Sequence, residues 1–230
     1  MSDAIRVNIY SISDKMELMT DIERQRMLSL VSLDRRKKVL RKKARIADYS
    51  LIAGYLLEND IKGYIKDVFE REIDVLDIEE GENGKPYLAS EDYKGIFFNL
   101  SHSGDYVMTA VGSSVVGIDI ERCGKCNKRI AERFFSESDN AFIDGISDEE
   151  IESKMGCNSR DELYTAFWTM KEAYLKWKGT GIADGLASFD IDYANMGVIG
   201  ENVRFMTSFT ADRRYTYTVC VEGGVEVIVG

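Results

Sequence analysis

The chain has 230 residues, 44% hydrophobic and 30% charged, which is enough material for one large core or two moderate ones and too apolar for a disordered chain. Its formal net charge of −10 argues against general affinity for nucleic acid or an anionic membrane. No uninterrupted apolar run reaches membrane-spanning length, and the start, MSDAIRVNIYSISDK, carries neither a basic leader with an apolar stretch nor a small-residue cleavage site, so a cytoplasmic protein is expected.

Ile5, Val7 and Ile9 alternate and predict a first strand. From about Met16 to Asp60 the apolar spacing is helical. Inside that block, RRKKVLRKKAR (Arg35–Arg45) has eight basic residues in eleven. Such a run is either a solvated helix face or a local anion-binding patch on an otherwise acidic chain, and residue type does not separate the two. Gly81 to Gly84 reads as a turn, followed by Lys85 and Pro86, the chain's one proline. Ile96–Leu100, Tyr106–Val111 and Ser114–Glu121 follow as short strands. A helical block runs from about Lys128 to Lys178, densest over Glu162–Lys178 and closed by Gly179. Strands return at Ser188–Ile191, Val203–Ser208, Tyr215–Val221 and Val225–Val229. Helices followed by strands, twice over, predict an α+β fold of two similar subdomains, 1–112 and 113–230.

Several stretches could carry chemistry. In VVGIDIE, Asp119 and Glu121 stand two apart on a strand and project from one face, where they repel unless a positive charge lies between them. They are half of an oxygen-ligand metal site or an ordinary charged strand end. In FWTMKEAYLKWKG, Glu172 and Lys176 share a helix face, either as a stabilising ion pair or as a third carboxylate with a phosphate contact. Phe167, Tyr174 and Trp177 have the spacing of a packed core face. NLSHSG holds the only histidine, His102. Neighbouring Ser101 points to the opposite face of a strand and no nucleophile elbow is present, so a hydrolase triad is rejected; a phosphate contact or a satisfied turn remains. Cys123-Gly-Lys-Cys126 could open a zinc site, but neither Cys157 nor Cys220 brings a second close pair, and free thiols are expected.

The order GKPYL, FNLSHSGDYV, VVGIDIE, FFSESD, FWTMKEAYLKWKGTGI resembles the 4′-phosphopantetheinyl transferase superfamily, and within it the longer, monomeric type that activates peptide and polyketide synthases, such as surfactin synthetase. The resemblance implies two pseudo-two-fold-related subdomains, each a small, mostly antiparallel sheet with packed helices, and an active site in the cleft between them. It implies Mg²⁺, or Mn²⁺ in its place, on Asp119, Glu121 and Glu172. It places coenzyme A phosphate on Ser101 and His102, the adenine nucleotide at Lys85 and Pro86, and Lys176 on the pyrophosphate. Where the family often carries arginine before its S-L-L-A-G-like stretch, this chain has Tyr49, so that a 3′-phosphate contact is either missing or moved to Lys42, Lys43 or Arg45. The glutamate closing FFSxxE is Asp139. The implied reaction moves phosphopantetheine from coenzyme A to a serine of an apo acyl or peptidyl carrier protein, releasing 3′,5′-ADP, with Glu172 or a water it orients as base. A non-catalytic coenzyme A-binding module is the alternative, and an RNA-binding basic helix a third. Which carrier or pathway is served, and any role of Cys123 and Cys126, is not written in the sequence.

Overall fold

The computed structural model describes residues 4–81, 84–125, 128–181 and 185–230. Along the chain run β1 (Ile5–Ser11), α1 (Ser13–Glu17), α2 (Asp21–Leu30), α3 (Leu33–Leu40), α4 (Ala44–Phe69), β2 (Ile78–Glu80), β3 (Pro86–Leu88), β4 (Phe97–Ser103) and β5 (Tyr106–Gly112). Then follow β6 (Val116–Arg122), α5 (Lys128–Phe134), α6 (Glu137–Gly145), α7 (Asp148–Met155), α8 (Arg160–Lys178), β7 (Ile191–Asp192), β8 (Gly197–Val198), β9 (Val203–Phe209), β10 (Tyr215–Glu222) and β11 (Val227–Val229). The fold is α+β. It divides into two compact units, Met1–Val115 with Val225–Gly230, and Val116–Gly224.

The first unit is built on a four-stranded sheet in the order β11-β1-β5-β4. Helix α4 lies on β5 and β4 and buries Leu51, Ile52, Leu57, Ile61 and Ile65. The expected single helical block from Met16 is broken into α1 to α4 because polar N-caps interrupt it. Thr20 and Glu23 form a capping box for α2, and Ser32 caps α3 by accepting from Arg35 N. Strand β4 is longer than the expected Ile96–Leu100 and carries Ser101, His102 and Ser103 into the sheet. Gly104, at φ 50°, makes the two-residue turn that pairs Ser103 with Tyr106. The last strand, β11, pairs in parallel with β1 and so belongs to this unit.

The second unit holds the antiparallel sheet β6-β10-β9, covered by α8. Ser159 caps α8 and Gly179, at φ 77°, ends it in the left-handed conformation. The expected strand Ser188–Ile191 is instead a 3-10 turn at Leu186–Ser188 followed by the short β7. The cause is Lys171, which has no solvent exposure. Its ammonium donates to the carbonyls of Leu186 (2.8 Å) and Phe189 (2.7 Å) and pairs with buried Asp139 at 2.5 Å. Carbonyls drawn inward to a cation cannot join a ladder. Asp139 in turn accepts from Ile191 N at 3.1 Å and from the Ser136 hydroxyl at 2.7 Å, so the buried ion pair is enclosed by hydrogen bonds.

Candidate active site

Strand β6 alternates as its sequence requires. Val116, Ile118 and Ile120 fill the core, while Gly117, Asp119 and Glu121 share the opposite face. Gly117 is glycine for a steric reason. A Cβ there would lie 2.0 Å from Ala173 O and 2.3 Å from Trp177 N, so the α8 backbone rests directly on this strand. That close approach puts the next residue on the face, Asp119, within reach of α8.

Asp119 is 2% exposed, and its Oδ1 accepts from Lys176 Nζ at 2.6 Å. The partner of Lys176 is therefore reached across 57 residues of sequence, which the i, i+4 spacing to Glu172 did not reveal. Glu172 is half-buried beside them. Burial pushes its carboxyl above the usual range, the neighbouring Asp119 and Glu121 charges push it the same way, and Lys176 pulls it back. Glu172 thus feels the charges of Asp119, Glu121 and Lys176 together. Beneath Asp119 on the ladder, Thr218 pairs with it and shares hydroxyl hydrogen bonds with Thr169 (2.8 Å) and Thr207 (2.9 Å). This threonine row ties α8 to β10 and β9.

Among the described residues, no three His, Cys, Asp or Glu side chains are drawn into a closed ligand cluster. The chemistry of the donor set nonetheless suits Mg²⁺: the donors are all carboxylate oxygens, and the Asp119 and Glu121 charges raise the affinity of Glu172 for a positive charge. Phe167 (0% exposed) and Tyr174 (2%) are core residues, and Trp177 packs against the same core.

The remaining candidates lie in the first unit. On β4, Ser101 is buried opposite Met108, whereas His102 is exposed opposite Val107. His102 lines a hollow of about 570 Å³ together with Arg45 and Tyr49 of α4 and the Gly104 turn. Ser101 is not among the hollow's lining residues. Lys85 precedes β3, its carbonyl accepting from Gly81 N at 3.0 Å, and Pro86 stands opposite Glu80 on β2.

The basic run is neither uniformly solvated nor one patch. Arg35 lies over Gly54, where a Cβ would come 2.2 Å from its Nε, and burial lowers its guanidinium while Glu58 opposes that shift. Arg36 donates to the carbonyls of Val31 (3.0 Å) and Ser29 (2.8 Å). Lys38 pairs with Asp34 (2.7 Å) and Glu80 (2.5 Å), which holds it beside the Lys85–Pro86 turn; sequence reasoning did not single it out. Lys42 donates to Ser50 Oγ at 3.1 Å, and Lys43 precedes α4 with an exposed side chain. The signal for this partition was faint: Asp34 stands four residues before Lys38, and Gly54 faces Arg35 in the middle of a helix.

Of the Cys123–Cys126 pair, Cys126 lies outside the described residues. Cys123 is a free thiol 3.0 Å from Thr216 Oγ1. Cys157 is buried, and burial pushes it up to about 12, which leaves it inert.

Two family models match successive parts of the chain: the 4′-phosphopantetheinyl transferase N-terminal model over residues 20–114 and the 4′-phosphopantetheinyl transferase superfamily model over residues 115–220. The chain belongs to the 4′-phosphopantetheinyl transferase superfamily. Within it, the similarity is to the longer type. The chain is 28% identical over 204 residues to the Bacillus subtilis 4′-phosphopantetheinyl transferase ffp, covering 86% of this chain and 85% of that one. To Bacillus subtilis (strain 168) Sfp it is 26% identical over the same shares, and to Bacillus pumilus psf-1 36% identical over 129 residues, 56% of this chain and 51% of that one.

Proposed function

We propose that this chain transfers 4′-phosphopantetheine from coenzyme A to a serine of an apo acyl or peptidyl carrier protein and releases 3′,5′-ADP. The observation that carries the reading is the Lys176–Asp119 contact on the face shared with Glu121 and Glu172, in a chain matched along its length by the two family models. In the reaction the serine Oγ bonds to the β-phosphorus of coenzyme A, and the bond from that phosphorus to the 3′,5′-ADP oxygen breaks. Glu172 takes the serine proton, directly or through a water; an ionised carboxylate raised by burial is a better base than an ordinary one. Lys176 donates to the phosphate oxygens as charge gathers on them. Asp119, Glu121 and Glu172 would hold Mg²⁺, or Mn²⁺ in its place, which when bound neutralises the pyrophosphate.

Residues of the first unit bind the coenzyme. His102 contacts its phosphate, with buried Ser101 behind it on the strand, Lys85 and Pro86 meet the adenine nucleotide with Lys38 beside them, and Lys42, Lys43 and Arg45 supply positive charge for the 3′-phosphate. The enzyme works as a monomer in the cytoplasm, a reducing compartment that suits the free thiols Cys123, Cys157 and Cys220. Among the described residues no helix is long and apolar enough to cross a membrane. The test is release of 3′,5′-ADP from coenzyme A, followed by chromatography, with and without apo carrier protein. Release that needs both the carrier and Mg²⁺ and stops with EDTA supports the reading; coenzyme A that binds and is never cleaved with any carrier class refutes it.

A further inference from the structure

Tyr49 lies on α4 one turn beyond Arg45, and both line the hollow beside His102. Its ring meets the imidazole of His102 edge to face, centroids 4.9 Å apart at 73°. Its hydroxyl donates to Tyr106 O at 3.1 Å. Tyr106 starts β5 and pairs with Ser103, the residue after His102. One side chain thus touches both strands of the hairpin that presents the histidine.

His102 is exposed on β4, where Ser101 before it is buried and Ser103 after it lines the same hollow. A ring packed edge to face on the imidazole limits its rotation about the two side-chain bonds. Glu17 and Asp105 also line the hollow, and Arg45 and His102 are the two lining side chains that can donate as cations to an anion there. A phosphate monoester, near −2 at neutral pH, is the group on the coenzyme that gains most from a guanidinium and an imidazole donating together.

We propose that Tyr49 is a positioning residue for coenzyme A, holding the His102 ring beside Arg45 so that both donate to the 3′-phosphate monoester. This rests on the coenzyme A reading given above.

His102 is the only histidine, so a ¹⁵N-labelled sample gives one imidazole signal that needs no assignment. Coenzyme A is expected to move that signal in the parent protein, and 3′-dephospho-coenzyme A to leave it nearly unmoved. Tyr49→Leu should shift the free signal through loss of the ring current. It should raise KM for coenzyme A about ten-fold, equivalent to ~1.4 kcal/mol, with kcat within about two-fold and KM for the dephospho form unchanged. Tyr49→Phe, which keeps the ring and loses the tether to Tyr106, should fall between, and it guards against a folding defect in the leucine variant. The inference is overturned if Tyr49→Leu leaves the imidazole signal in place, or if its loss falls on kcat or equally on both coenzymes. A parent signal that ignores bound coenzyme A would instead remove His102 from the coenzyme site, and the role of Tyr49 with it.

Discussion

The contact between Gly117 and α8 makes the most demanding prediction. In Gly117→Ala the new Cβ would lie 2.0 Å from Ala173 O, 2.3 Å from Trp177 N and 2.9 Å from Trp177 Cα, all backbone atoms with no rotamer to yield. Restoring ordinary contact needs the helix to withdraw by more than about 1 Å, and overpacking of this kind costs roughly 1–3 kcal/mol. In a chain of 230 residues that lowers Tm by about 2–12 °C. The same withdrawal stretches the 2.6 Å contact between Lys176 and Asp119 and moves Glu172 away from β6. A misplacement near 1 Å costs about 10²-fold in rate. The assay is paired: calorimetric Tm, and single-turnover transfer to an apo carrier at saturating coenzyme A. A variant with parental Tm and a rate within about two-fold of the parent would refute the claim that the bare strand seats the helix and its two charged residues.

Asp119→Asn and Glu172→Gln should each lower transfer at least about 10²-fold, with far-ultraviolet circular dichroism unchanged. Lys171→Met strands buried Asp139 and should destabilise the fold by about 3–5 kcal/mol in urea, with Lys171→Met/Asp139→Leu recovering much of that loss; additive losses would mean that the pair is not coupled. Hydrogen bonds from Thr210 Oγ1 and from the backbone and side chain of Arg214 hold Asp212 down at about 2 from its ordinary 3.8. A carboxyl depressed in the fold gives stability that is complete above its unfolded value and fades as pH falls through the folded one, so the parent should lose stability between pH 4 and about 2 more steeply than Asp212→Asn in acid titration. Cys123→Ser should leave transfer within about two-fold and release no zinc on unfolding; zinc release from the parent would reopen a metal role for that thiol.

Local chemistry carried much of the fold in the sequence. Gly179 ends α8 where the pattern said it should, and alternation in Tyr215–Val221 marks β10. Partnership across distance was not legible. Val225–Val229 reads as a strand, but nothing in its residues says that it pairs in parallel with β1 rather than with its neighbours. Ser188–Ile191 has strand residues, yet the Lys171 ammonium 15 residues from Leu186 takes the carbonyls that a ladder would use. The site behaves alike. Asp119, Glu121 and Glu172 could be nominated from motif and periodicity, whereas the ion pair of Lys176 needed the strand and helix to be packed. The basic run is the clearest case: eight cations look equivalent as letters, and burial on Gly54, carbonyls of the preceding turn and Glu80 sort them.

Intact mass spectrometry of apo carrier proteins incubated with coenzyme A and Mg²⁺ tests the central claim most directly, using the parent protein, Glu172→Gln and an EDTA control. The account predicts that one phosphopantetheine is added to a carrier serine by the parent alone, and that EDTA prevents it. Equal modification by Glu172→Gln, or modification untouched by EDTA, would contradict the assignment of the carboxylate site.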